Sequence, residues 1–370
     1  MHRKIVFHII SHLDVGGAER VAINIAESPT EGIAYHVVEL IRAHSDFTDV
    51  LIKELRDHNI TYHRGWIPEI HFHYLFERLA ALTFPLWFLW LFLKYKPQVL
   101  HSHTEMPDLS IYCFFRLFPW ALKRCKIVRT IHNTRLWTGM QRTGRCIEAF
   151  FIRQNANIAI SEAVKSNYQE HYHDSPPIIY NGVAPVKQQP YSQLKAGKIN
   201  ILFAGRFEEQ KGIDTLIEII KSQKDSAIYH FHVIGGGSLA SLLTAELGGF
   251  TNVSICEPLF NLASFLASFD FLLMPSRHEG LSILALEANF NGLPAIINAC
   301  PGLHETLPND WPLRVEHNDL NTYMHLFNNV LPVINRHEIQ TIARQFAEKH
   351  FSMRSMREGY ERLYAQAFKA

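Results

Sequence analysis

A chain of 370 residues is longer than the roughly 250–300 residues over which a single core usually keeps growing, so two domains are expected. With 47% hydrophobic and 19% charged residues, the composition excludes a disordered chain and leaves apolar material for two cores. The formal net charge of +1 names no partner through bulk electrostatics, and nucleic acid is not expected as one.

In chain order, Met1, His2, Arg3 and Lys4 lead into an apolar run at 5–10 that is too short for a secretory signal and reads as a strand. Further β-branched runs follow at 36–41, 98–103, 126–132 and 157–160. Helical patterns lie between them at 18–27, 49–57, 74–94, 108–118 and 161–171. This alternation predicts βαβ units and a parallel sheet. The rhythm breaks at 185–197 (PVKQQPYSQLKAG), which is polar without a hydrophobic period and reads as an interdomain linker. It then restarts, with strands expected at 199–204, 229–234, 252–255, 270–274 and 295–298. The helices of this half are expected at 213–221, 238–247, 262–269, 281–291 and 320–330. The tail from 337 to 368 reads as two helices. The fold class is therefore α/β, with two Rossmann-like halves, 1–184 and 185–352, making a cleft. Ligands of such sheets sit outside the carboxyl ends of the strands, so the chemistry belongs on strand-to-helix loops.

Two segments bear on location. The run at 79–93 (LAALTFPLWFLWLFL) has no charge and is interrupted by Pro85. It is shorter than the roughly 20 residues of a spanning helix, which leaves a core helix or a helix lying in a membrane interface. Trp87, Trp90, Lys94 and Lys96 suit either reading. From Arg116 to Arg153 the chain is basic, with Lys123, Arg124, Lys126, Arg129, Arg135, Arg142 and Arg145 against Glu148. Such a stretch suits an anionic membrane surface or phosphates, or is a solvated helix face. Cys113, Cys125, Cys146, Cys256 and Cys300 are odd in number and form no C-x-x-C, which fits a reducing cytoplasm.

Four constellations could carry chemistry. Gly16 and Gly17 follow a strand and open a helix, a place for a phosphate or an ordinary turn. Gly205 and Arg206 end a buried strand, and Lys211 with Gly212 precedes the next helix. The two cations either converge on a diphosphate or pair with Glu208 and Glu209 as loop charges. Glu279 follows a strand, and Glu287 lies one turn or more into the next helix. Carboxylates accept hydrogen bonds from sugar or ribose hydroxyls, leaving the N–H groups around Ser282, Ile283 and Leu284 for phosphate oxygens. His101 and His103 face one side of a strand, but no third ligand stands near them in sequence, so no metal is expected there. His132 ends its strand in RTIHNT and suits hydrogen bonding rather than general base catalysis. No D-x-D occurs, which argues against a metal-bridged diphosphate.

In order and spacing, GGAERV (16–21), TIHN (130–133), ISEAVK (160–165), IYNGV (179–183), GRFEEQKG (205–212), VIGGG (233–237) and EGLSILALE (279–287) resemble the retaining glycosyltransferases of family 4, which have the GT-B fold. The resemblance implies an N-terminal acceptor-binding domain (1–184) and a C-terminal donor-binding domain (185–352). It also implies a last helix (353–370) that crosses back to the first. It implies that Gly16 and Gly17 approach the donor, that Arg206 and Lys211 neutralise the leaving diphosphate, and that Glu279 holds hydroxyls of the transferred sugar. Glu287 would hold the ribose, Ile283 and Leu284 would offer N–H groups to phosphate, and His132 would lie near sugar and acceptor. Gly205, Gly235 and Gly236 would lie along the nucleotide. The partners implied are a nucleotide-sugar donor and a glycan or lipid-linked acceptor, with no metal or other cofactor. A soluble acceptor and a non-catalytic binding module are the alternatives. Where relatives often carry Phe-x-Gly beside the base, this chain has Ile255, Cys256, Glu257 and Pro258, and a uridine donor is favoured over a guanosine one.

Overall fold

A computed structural model describes residues 3–14, 16–28, 30–69 and 73–368. The chain forms two compact units, Met1–Asn181 with Met353–Ala370, and Gly182–Ser352.

The first unit is a six-stranded parallel sheet in the order β3-β2-β1-β4-β5-β6. Its strands are β1 (Lys4–Ile10), β2 (Ile33–Arg42), β3 (Thr61–Pro68), β4 (Val99–Ser102), β5 (Lys126–Ile131) and β6 (Asn157–Ala159). The helices are α1 (Gly17–Ala26), α2 (Asp46–Asp57), α3 (His73–Tyr95), α4 (Glu105–Leu117), α5 (Gln141–Arg153) and α6 (Glu162–Tyr172). Strands covered on both faces read as nearly unbroken apolar runs, and KIVFHII of β1 is such a run, buried from Val6 to Ile10. Two of the helix starts are set by side-chain caps: Ser45 and Thr48 form a reciprocal capping box on α2, and Ser161 caps α6. β3 has no counterpart among the expected strands. Its sequence, TYHRGWIP, mixes polar and apolar residues because it is an edge strand only partly covered.

The inner face of α3 fills this core. Phe84 and Phe88 stack at 4.4 Å, and Phe88 meets Phe114 of α4 edge-on at 5.1 Å. Arg129 of β5 is wholly buried and so is not part of a basic surface. Its Nε donates to Asp108 at 2.7 Å, and its two terminal nitrogens donate to Glu148 at 2.5 and 2.7 Å. Trp137 and Tyr168 also donate to Glu148, so the buried charges are fully surrounded by partners.

The second unit repeats the plan. Its strands are β7 (Ile199–Arg206), β8 (Tyr229–Gly236), β9 (Val253–Cys256), β10 (Phe271–Met274), β11 (Ala295–Asn298) and β12 (Arg314–Val315), in the order β12-β11-β10-β7-β8-β9 and all parallel. Its helices are α7 (Ile213–Ser222), α8 (Ala240–Leu247), α9 (Ile283–Phe290), α10 (Leu320–His325) and α11 (Arg336–His350). Leu262–Ser268, expected as an α-helix, winds as a tighter 3-10 helix. The segment 185–197 is not a loose linker. Val186 donates to the Asn291 side chain, Gln188 to Asn291 and the Ala263 carbonyl, and Tyr191 to Ser268, which fastens the stretch to this unit.

The last helix, α12 (Met353–Ala367), returns to the first unit. Tyr360 and Tyr364 are fully buried there. The Tyr364 hydroxyl bonds His101 Nδ1 at 2.7 Å, Tyr360 meets the Thr130 hydroxyl at 2.8 Å, and Arg357 Nε donates to the Asn24 carbonyl at 2.7 Å.

Candidate active site

In the second unit the strand order runs outward both ways from β7 and β10, so the loops after these two strands diverge there. This is where an open α/β sheet binds ligands. The loop after β7 supplies Arg206 and Lys211, and the loop after β10 supplies Glu279. Lys211 Nζ donates to Glu279 Oε1 at 2.7 Å. Lys211 uses neither competing partner: Glu208 accepts from the amide and hydroxyl of Ser238, and Glu209 pairs with Arg277 at 2.9 Å. Glu279 is buried and Lys211 partly so. Lys211 thus has two further N–H groups beyond this bond, with no protein acceptor recorded for them among the described residues. The Cys300 thiol beside the pair is pushed up to about 12 by burial, with the negative charge of Glu279 adding to the effect.

Close approach of loops makes this pairing possible. Gly212 has φ +69, and a Cβ on it would stand 2.0 Å from the Pro275 carbonyl oxygen, so only glycine lets the β7 loop press against the β10 loop. Gly302, with φ +75, would place a Cβ 2.2 Å from the Glu279 carbonyl oxygen and holds the loop after β11 against the same segment. Sequence reasoning missed Gly302; PGLHE resembles an ordinary turn until β11 is placed beside β10.

The other donor-site candidates of this unit lie at the carboxyl ends of β7, β8 and β10, and a Cβ on Gly205 would be 3.7 Å from Lys211 Cε. Gly205 and Arg206 pair in register with Gly235 and Gly236 across β7 and β8, so two glycine-bearing strand ends lie side by side. A Cβ on Gly236 would be 3.7 Å from Pro258, which places the divergent 255–258 stretch at the same end of the sheet. The Arg206 side chain is exposed, with Glu208 as its charged neighbour. Ser282 is buried as the N-cap of α9, its hydroxyl accepting from the Ala285 amide, so its side chain serves the helix. Ile283 and Leu284 form the first turn, whose N–H groups lack intrahelical acceptors. Glu287 lies a turn further on and is partly buried.

In the first unit the corresponding point lies between β1 and β4. A side chain at Gly17 would meet open space, whereas one at Gly16 would strike the Glu19 carboxylate, which folds back over the start of α1. His101 and His103 do have a third histidine beside them. It is His8 of β1, which is paired in register with His101. Hydrogen bonds join most of the cluster: His8 Nδ1 meets His103 Nε2 at 2.9 Å, and His101 uses both nitrogens on Thr130 and Tyr364, while the buried His8 Nε2 has no hydrogen-bond partner among the described residues. His103 Nδ1 faces His132 Nε2 at 3.4 Å. Burial pulls the His8, His101, His103 and His132 rings well below their ordinary value, so all four are neutral near pH 7. A neutral His132 suits a hydrogen-bonding role.

Residues 15–187 match the family model described as Glycosyltransferase Family 4, and residues 198–329 match the one described as Glycosyl transferases group 1. A Klebsiella pneumoniae protein, "Uncharacterized 41.2 kDa protein in cps region", is 26% identical over 304 residues, covering 74% of this chain and 80% of its own length. Among solved structures, Anabaena Alr3699/HepE in complex with UDP and glucose superposes with a TM-score of 0.77 at 17% identity, over 98% of this chain and 100% of that one. WaaG, a glycosyltransferase involved in lipopolysaccharide biosynthesis, superposes with a TM-score of 0.69 at 16% identity, over 96% and 98%. The two structural likenesses speak to the fold. The two family matches, which follow one another from residue 15 to residue 329, show that this chain belongs to glycosyltransferase family 4, and its fold is GT-B.

Proposed function

We propose that the protein is a retaining transferase that moves a hexose or N-acetylhexosamine from a UDP-sugar to a glycan or lipid-linked acceptor, on the cytoplasmic side of a membrane, without a metal. The observation that carries the reading is the Lys211–Glu279 pair at the branching point of the second sheet, beside the glycine strand ends and the first turn of α9. A cation, a hydroxyl-accepting carboxylate and uncompensated helix N–H groups in one place match the needs of a sugar diphosphate.

In this reading Glu279 holds hydroxyls of the transferred sugar, and Lys211 both orients Glu279 and donates to a phosphate oxygen. Arg206 adds a second positive charge. The bond between the anomeric carbon and the phosphate oxygen breaks as negative charge gathers on the diphosphate. Lys211, Arg206 and the N–H groups of Ile283 and Leu284 stabilise that charge. The acceptor oxygen bonds the anomeric carbon on the same face, and its proton passes to the departing phosphate. Glu287 takes the ribose hydroxyls, Gly205, Gly235 and Gly236 line the nucleotide, and Gly16 and Gly17 adjoin its phosphates. His132 hydrogen-bonds the sugar or the acceptor. The structurally similar proteins solved with UDP and glucose, or involved in lipopolysaccharide biosynthesis, support the donor and acceptor classes. The absence of D-x-D and the presence of fixed cations support chemistry without a metal.

Nucleotide release from a panel of UDP- and GDP-sugars, with and without acceptor, tests the proposal. Acceptor-dependent release from a UDP-sugar is expected, with the anomeric configuration of the product unchanged. Release from GDP-sugars alone, or none from any donor, would overturn the donor assignment.

A further inference from the structure

The outer face of α3 is the feature that the transfer chemistry leaves unused. Leu79, Leu82, Leu86, Trp90 and Leu93 fall at helical spacing along one side and are between 45% and 62% exposed. The opposite side of the same helix carries Phe84, Phe88, Leu91 and Phe92 in the core. A helix apolar all round belongs inside a protein or against lipid. α3 has one half in each situation: the inner half is covered, and the outer half has no covering among the described residues. Two exposed tryptophans flank the helix against its covered side. Exposed Trp66 of β3 lies 6.5 Å from Trp87, and exposed Trp120 lies 5.9 Å from Phe92.

Charge decides what covers it. From Arg78 to Lys126 the chain has seven basic side chains, all exposed, and only two acidic ones. One of the acids, Asp108, is buried against Arg129. Lys94 sits over the Trp90 ring of the stripe at 4.6 Å and Arg124 over the flanking Trp120 ring at 5.4 Å, so a cation stands against each of these exposed rings. At the other end of the stripe, Arg78 and Arg142 line a cavity of about 560 Å³. Apolar centre, tryptophan rim and outer cations form the order of layers met on leaving the acyl chains of an anionic membrane. α3 is long enough to span a bilayer, at 20 suitable residues. A span would pull Phe84, Phe88 and Phe92 out of the core, so the helix lies along the surface.

We infer that the first unit docks on an anionic membrane through the outer face of α3, with Leu82, Leu86 and Trp90 entering the acyl region and Lys94 and Arg124 meeting lipid phosphates. The inference deepens the lipid-linked reading of the acceptor and rests on it for its purpose; the surface stands on its own residues.

The test is sedimentation of the full chain with phosphatidylcholine vesicles made with and without phosphatidylglycerol, at low and high salt and without donor. The wild type should pellet with anionic vesicles and be released by salt. The variant carrying Leu82→Gln, Leu86→Gln and Trp90→Gln should lose at least about tenfold in binding. A second variant, Lys94→Gln with Arg124→Gln, changes only exposed cations and should lose about fivefold for each charge. Both should keep the wild-type melting temperature and nucleotide release in lipid-free buffer. Wild type that stays in the supernatant at low salt, or an apolar variant that still pellets fully, overturns the inference. So does a wild-type dimer that the apolar variant dissociates, because a second copy then covers the face. Vesicle binding without nucleotide release from any donor would instead sink the transferase reading and leave the docking surface standing.

Discussion

Lys211 reaches across from one loop to hold Glu279 of another at 2.7 Å, which makes it both a charge and a brace. Lys211→Ala should lower turnover by about 10²–10³-fold, the usual loss for one donor aimed at developing charge. Nucleotide release under saturating donor measures this, and near-normal turnover would remove Lys211 from the leaving-group role. Arg206→Ala should lower turnover in the same direction, without the stability change that unpairing Glu279 brings, because the Arg206 side chain is exposed. Gly212→Ala tests the brace from its other side. A left-handed backbone and a 2.0 Å collision with Pro275 should destabilise the second unit by about 2–4 kcal/mol and lower activity with it. Denaturant melts would read the stability loss.

At the scale of elements, the C-terminal helix is built into the first unit by hydroxyl groups as well as by apolar contact. Tyr364→Phe removes the partner of His101 Nδ1 in a site without solvent and should cost about 1–3 kcal/mol in chemical denaturation. A melt within experimental error of the wild type would show that the bond contributes nothing. The elements differ in how readable they were from sequence. β1, β7 and β8 are apolar runs with both faces covered, and periodicity exposes such runs directly. β3 escaped because an edge strand needs no apolar alternation, and β12 because two residues carry no pattern. The candidate residues on the β7 and β10 loops could be named because they follow strong strands and carry charge. His8 could not be linked to His101 and His103, since the pairing arises only when β1 and β4, 93 residues apart, become neighbours. Likewise, Arg129 reads as one more surface cation until α4 and α5 bring Asp108 and Glu148 onto it.

For the whole molecule, buried neutral histidines set a lower limit on working pH. His8 is fully buried, with its titration pulled down by burial to about 3 from an ordinary value near 6.5, and burial lowers His36 and His63 to about 4. The unfolded chain takes up protons at these sites before the folded one does, so stability falls as pH drops from 6.5 toward 3. By pH 5 His8 alone should account for about 2 kcal/mol of that loss. Melting temperatures taken from pH 7.5 to 4.5 should decline steadily below pH 6.5, and a flat profile would contradict the neutral cluster. Activity of the intact enzyme should be unchanged by EDTA if Lys211, Arg206 and the α9 terminus supply the charge; loss of activity that added Mg²⁺ or Mn²⁺ restores would overturn that.

The return of α12 to the first unit has a consequence for synthesis. The first unit takes chain from both sides of the second, because residues 353–367 are added after all of 182–352. During translation the later lobe can therefore acquire its whole sequence while the earlier one still awaits Tyr360 and Tyr364. Until those two rings arrive, the buried imidazole and threonine that they will cover stand open to water and to chaperones.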